Sequence, residues 1–109
     1  MNYEVIFTEP FEKKAKRLIK KHASFKNDLK KLTQSLAETP EQGTPLGHNC
    51  YKIRLAIKSK GRGKSGGARV ITFIRTQTEK NYLIDVYDKS EQSTISDSEL
   101  KLLVELLTP

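Results

Sequence analysis

A chain of 109 residues with 36% hydrophobic composition has material for one small core, so a single domain is expected. Its 20 Lys and Arg outnumber its 13 Asp and Glu, a net charge of +7 that makes nucleic acid or another polyanion the first class of partner. The lone cysteine, Cys50, rules out an internal disulfide, and no stretch has the length and apolarity of a membrane span or the pattern of a signal peptide. A cytoplasmic protein with no membrane partner is expected.

In chain order, Tyr3, Val5 and Phe7 alternate with Glu4 and Ile6, which predicts a short strand ending at Thr8-Glu9-Pro10, where an early acid and a proline favour a helix start. Phe11, Ala15, Leu18, Ile19 and His22 fall on one helical face. Phe25, Leu29, Leu32 and Leu36 repeat the pattern after a break near Ser24, so a helical hairpin is predicted. Residues 11–31 also carry nine cations against Glu12 and Asp28, read as a solvated outer face whose lysine stems cover apolar surface. The following segment, ETPEQGTPLGHNC, has two prolines and two glycines and reads as a loop.

Tyr51, Ile53, Leu55 and Ile57 then alternate with Lys52, Arg54, Ala56 and Lys58, a half-buried strand with cations on its outer face. Residues 69–75 and 81–87 complete a three-stranded meander through the polar turn at residues 76–80. Ser96 and Glu99 stand at capping-box spacing, and Ile95 and Leu100 at staple spacing, so a short C-terminal helix starts near Asp97. The predicted order is β-α-α-β-β-β-α. The predicted class is α+β in one domain over residues 1–109, with the hairpin on one face of a mainly antiparallel twisted sheet and the cations on the other.

Charge is unevenly placed along these elements. Residues 42–78 contain no acid and eight cations, while the chain from Glu79 onward has seven acids against three lysines. The most informative segment is KSKGRGKSGGARVITF, with Lys58, Lys60, Arg62, Lys64 and Arg69 among four glycines. Gly63-Lys64-Ser65 resembles the end of a P-loop, but Lys58 stands where that motif needs its first glycine, and a strand follows where it needs a helix. A basic glycine-rich loop continuing a cationic strand face suits a phosphate backbone, because cations that neutralise phosphates release counterions and arginine grips two phosphate oxygens at once. The blander reading is a flexible exposed turn.

The run Tyr51-Lys52-Ile53-Arg54, the segment Lys64-Ser65-Gly66-Gly67-Ala68-Arg69-Val70-Ile71 and the later Val86-Tyr87-Asp88-Lys89-Ser90-Glu91 resemble successive sheet landmarks of the RelE/ParE toxin superfamily, nearest its HigB-type branch. The resemblance extends to about Leu103. It implies a type II toxin, monomeric when free and silenced by a cognate antitoxin, that enters the ribosomal A site and cuts messenger RNA by attack of a ribose 2′-hydroxyl on the adjacent phosphorus. No metal and no cofactor is implied, and no compact metal-site spacing of Cys, His or carboxylates is visible.

By matching positions, Arg69 is expected to stabilise the scissile phosphate. Lys64 is the candidate base or positioning group, and Lys89 the candidate for leaving-group or phosphate stabilisation. A lysine pKa lowered by like-charged neighbours would assist proton transfer. Arg54, Lys58, Lys60 and Arg62 are expected to bind RNA, and Tyr87 either stacks on a base or packs at a strand end. Ser93, Thr94 and Ile95 offer no tyrosine beyond Lys89, so a C-terminal tyrosine acid is not expected. His22, His48 and Cys50 read as structural. Two alternatives stay open from the residues: a ParE-like gyrase poison and a non-catalytic RNA-binding module.

Overall fold

The computed structural model describes residues 2–107. Strand β1 (Glu4–Phe7) leads into helix α1 (Glu9–Lys21), and after a three-residue corner α2 (Phe25–Glu38) runs back. Pro10 sits in the first turn of α1, where its missing N–H costs no intrahelical bond. The Thr8 hydroxyl does not cap this helix but donates to the Leu83 carbonyl at 2.8 Å, tying the start of α1 to the sheet.

A short strand, β2 (Thr44–Gly47), follows where a loop is predicted from the sequence, and it pairs antiparallel with β3 (Cys50–Leu55). The two-residue turn His48–Asn49 has positive φ at both positions, 54° and 61°, the backbone that suits the right-handed twist of a tight hairpin. Histidine and asparagine tolerate that region better than most side chains. The expected loop is therefore half of a hairpin. β4 (Ala68–Arg75), β5 (Lys80–Asp88) and α3 (Asp97–Glu105) complete the chain.

The sheet order is β1-β5-β4-β3-β2, with β1 parallel to β5 and every other pair antiparallel. α1 and α2 cover one face. Phe11, Leu18, Phe25 and Leu36 on the hairpin meet Ile53, Val70, Leu83 and Val86 on the sheet, and each such fully buried large side chain is worth about 1.5–3 kcal/mol. The opposite face is not left open: α3 packs there, with Ile95 and Leu100 against Cys50, Ile71, Phe73, Ile84 and Tyr87. The Ser96 hydroxyl accepts from the Glu99 amide at 3.1 Å, and Ile95 and Leu100 are both buried in this cluster, as capping-box and staple spacing predict. Arg75 fastens the far end of α3 by donating to the Leu107 carbonyl at 3.0 Å, with its guanidinium over Phe73 and Tyr82.

A bulge on β5 decides what each face carries. Ile71 is paired with Asp85 and Thr72 with Leu83, so one residue of β5 is extra. Leu83 and Val86, three apart, consequently share the hairpin face, while Ile84 and Tyr87 share the α3 face.

Among the described residues no helix is long and apolar enough to cross a membrane.

Candidate functional site

The antiparallel register places Arg54 beside Arg69 and Arg69 beside Tyr87, one line across three strands on the α3 face. Arg69 is 6% exposed, and its Nη1 donates to the Lys64 carbonyl at 2.9 Å and the Ala68 carbonyl at 3.1 Å. Both bonds leave from one nitrogen, so Nε and Nη2 remain as donors. No carboxylate pairs with it among the described residues. The result is a positive charge fixed in place by neutral carbonyls, the arrangement that stabilises negative charge without reorganising.

The glycine-rich segment is folded onto this end of the sheet. A 3-10 turn (Lys58–Lys60) opens it, and the Lys89 amide donates to the Gly67 carbonyl at 3.0 Å. Gly67 has to be glycine because a Cβ there would lie 2.2 Å from the Leu55 carbonyl oxygen, backbone that cannot yield. Lys64, Arg69 and Lys89, the three residues expected to carry chemistry, are thus tied to one end of the sheet, Arg69 by its side-chain bond to the Lys64 carbonyl and Lys89 by its amide. The Lys64 side chain is exposed, and Lys89 Nζ donates to the Ser93 carbonyl at 2.8 Å.

Beneath the loop lies a buried acid. Asp88, 1% exposed, accepts from Lys60 Nζ at 2.8 Å, from the Ser90 hydroxyl at 2.7 Å and from the Ser90 amide at 3.0 Å, and His22 Nε2 stands 3.2 Å from its other oxygen. Burial alone would raise this carboxyl, but the hydrogen bonds from Lys60 and Ser90 together outweigh it and hold the group well below the usual carboxylate range. Nearby, Glu91 is lowered to about 2 by Arg17 and Lys21, which bind it from α1 at 2.6 and 2.7 Å. The hairpin's cations are therefore partly ion-paired to the β5 end, not only a solvated face.

A family model described as the RelE toxin of the RelE/RelB toxin-antitoxin system matches residues 4–108. The chain belongs to the RelE toxin family. Solved structures show the same fold. A mutant of the E. coli toxin RelE in the free state is 23% identical with a TM-score of 0.60, covering 85% of this chain and 90% of its own. The intact E. coli RelBE toxin-antitoxin complex matches at 24% identity and a TM-score of 0.62, over 79% of this chain and 95% of that one. Isolated E. coli RelE matches at 20% and 0.61, over 95% and 98%.

Within this RelE-family chain the structure separates the expected RNA contacts. Arg54, Lys58 and Arg62 are exposed and have no carboxylate partner among the described residues. Lys60 does not stand with them: its side chain is 13% exposed and is held by Asp88, so its charge is already neutralised. Tyr87 is 4% exposed and packs in the α3 cluster, so its ring offers no stacking face, and the packing reading is the correct one. Its hydroxyl is buried without a well-formed hydrogen bond; burial, with Asp85, pushes its pKa up, while Arg69 and Thr94 oppose.

Cys50 is buried beside the hairpin turn and its thiol is pushed up to about 11 by burial, as a passive thiol should be. His22 is the C-cap of α1 and a partner of Asp88, which accords with its structural reading. Two cations not singled out from the sequence, Lys31 on α2 and Lys52 on β3, line one groove with Arg54, Lys58 and Lys64. Alternation along β3 placed Lys52 on the cationic face, but no local pattern connects Lys31 to a strand 21 residues later.

Proposed function

We propose that this RelE-family chain is a toxin that cleaves messenger RNA at the ribosomal A site and is silenced by a protein antitoxin. The observation that carries the reading is Arg69: a guanidinium fixed by two carbonyls and without a carboxylate partner among the described residues, at the end of the sheet where an exposed lysine loop and Lys89 also meet. The solved RelBE toxin-antitoxin complex, similar in fold, supports a protein antitoxin as partner.

In the proposed reaction the ribose 2′-oxygen attacks the neighbouring phosphorus while the bond to the 5′-oxygen breaks. The products are a cyclic 2′,3′-phosphate and a free 5′-hydroxyl. Arg69 stabilises the charge that develops on the nonbridging oxygens, using Nε and Nη2. Lys64 positions the 2′-hydroxyl or takes its proton, and Lys89 stabilises the departing 5′-oxygen, which gains a proton. Arg54, Lys58 and Arg62 hold flanking phosphates. The free toxin acts as a monomer in the cytoplasm.

Controlled expression in a bacterial host tests this reading against its rivals. Growth should stop with new 5′ ends inside translated messages and with the chromosome intact. Broken DNA with intact messages would transfer the protein to a gyrase-poisoning role, and harmless expression would leave only RNA binding.

A further inference from the structure

β2 covers only the first part of β3: its pairing stops at Thr44 with Lys52, and the strand edge beyond has no strand neighbour among the described residues. A groove of about 530 Å³ lies between that open edge and α2. Its walls carry Lys31, Lys52, Arg54, Lys58 and Lys64, and Asp28 is the one acid among the described lining residues.

Asp28 does not balance them. It is buried at the hairpin corner, where its Oδ2 accepts from the Ser24 hydroxyl at 2.7 Å and the Lys58 amide at 3.1 Å. No carboxylate is ion-paired to any of the five cations among the described residues. Lys31 and Lys58 approach each other closely enough that Lys58 pulls the Lys31 pKa down, with burial adding and Asp28 opposing. Like charges gathered in a concavity without a counter-ion repel, and an anion placed between them relieves that repulsion.

We propose that this groove is a second phosphate site, occupied by a backbone phosphate of the same RNA strand that presents its scissile phosphate to Arg69, and that Lys31 of α2 is one of its binding residues. The assignment rests on the RNA-cleaving reading. Continuity favours an RNA strand over a protein carboxylate, because the two sites share walls. Arg54 lines the groove and is the cross-strand neighbour of Arg69, and Lys64 lines it while its carbonyl holds the Arg69 guanidinium. A strand leaving Arg69 toward the edge of the sheet therefore enters the groove directly.

The test measures binding of a short, fluorescein-labelled single-stranded oligonucleotide with 2′-deoxyribose throughout, which the 2′-hydroxyl mechanism cannot cleave, over a range of salt concentrations. Lys31→Gln should make the salt dependence shallower by about 0.7 in log–log slope, which at 0.1 M salt is about a fivefold loss of affinity. Lys31→Arg, which keeps the charge, should keep the wild-type slope. Lys31 is exposed, so a far-UV spectrum like the wild type's should accompany both variants.

An unchanged slope in Lys31→Gln overturns the proposal. So does wild-type oligonucleotide binding combined with weaker capture of an acidic protein segment, which would assign the groove to a carboxylate-bearing partner. A Lys31-dependent slope in a protein that leaves messages intact keeps the phosphate site and removes the cleavage reading alone.

Discussion

Asp88→Asn is expected to lower the unfolding free energy at neutral pH by about 3 kcal/mol, because it leaves the nearly buried Lys60 ammonium without its counter-charge. The loss should depend on pH in a definite direction. The folded-state pKa of Asp88 is depressed, so its contribution is fully present above the unfolded carboxylate value of about 4 and is lost as pH falls toward the folded value. Denaturant titrations from neutral to acid pH should therefore show wild type and variant far apart near neutrality and converging below about pH 4. Equal midpoints at neutral pH would mean that the Lys60–Asp88 tie does not hold the loop. His22 belongs to the same cluster, with its Nε2 3.2 Å from the other Asp88 oxygen.

The second large effect belongs to Arg69. Arg69→Ala should reduce RNA cleavage on the order of 10²–10³-fold, the usual consequence of removing one fixed donor from a site of developing charge. Arg69→Lys should recover only part of this, since an ammonium keeps the charge but not the planar fork that reaches a phosphate from Nε and Nη2. Because the same side chain holds the Lys64 carbonyl, its loss also frees the basic loop. Comparing the denaturant midpoints of both variants with their cleavage rates separates misplacement from lost chemistry. A cleavage rate within a few-fold of wild type in a folded Arg69→Ala protein would remove Arg69 from the mechanism.

The order of elements was legible because each is announced by local chemistry. Alternation marks β1 and β3, a polar break at Ser24 splits the hairpin, and Ser96 with Glu99 announces α3. The hairpin turn was hidden because His48–Asn49 is an uncommon pair for a turn with two positive φ values, and because the prolines and glycines around β2 read as loop. The β5 bulge was hidden for a different reason. Strict alternation assigns Leu83 and Val86 to opposite faces, and only pairing with β4 reveals the extra residue that brings them together. That single slip also turns Tyr87 onto the α3 face beside Arg69, where packing in the α3 cluster buries its ring.

The site was legible as a set of cations but not as a set of free cations. Lys60 and Arg75 look equivalent to Lys58 and Arg54 in the sequence, yet Lys60 meets Asp88 and Arg75 meets the end of α3. Their partners lie 28 and 32 residues away, beyond the reach of any local pattern. Lowering of a lysine pKa by like charge was expected within the glycine-rich loop. The fold lowers one lysine in this way outside that loop's own spacing: Lys31 on α2, through its neighbour Lys58 at the start of the 3-10 turn.

RNA cleavage by this chain is measured by translating a defined message in a purified system, adding wild-type protein or the Lys64→Ala and Arg69→Ala variants, and mapping new 5′ ends by primer extension. Discrete cleavage is expected within the translated message, dependent on ribosomes, carrying 5′-hydroxyl ends and disappearing in both folded variants. An intact message with the wild-type protein, or cleavage that survives both substitutions, would overturn the RNase reading.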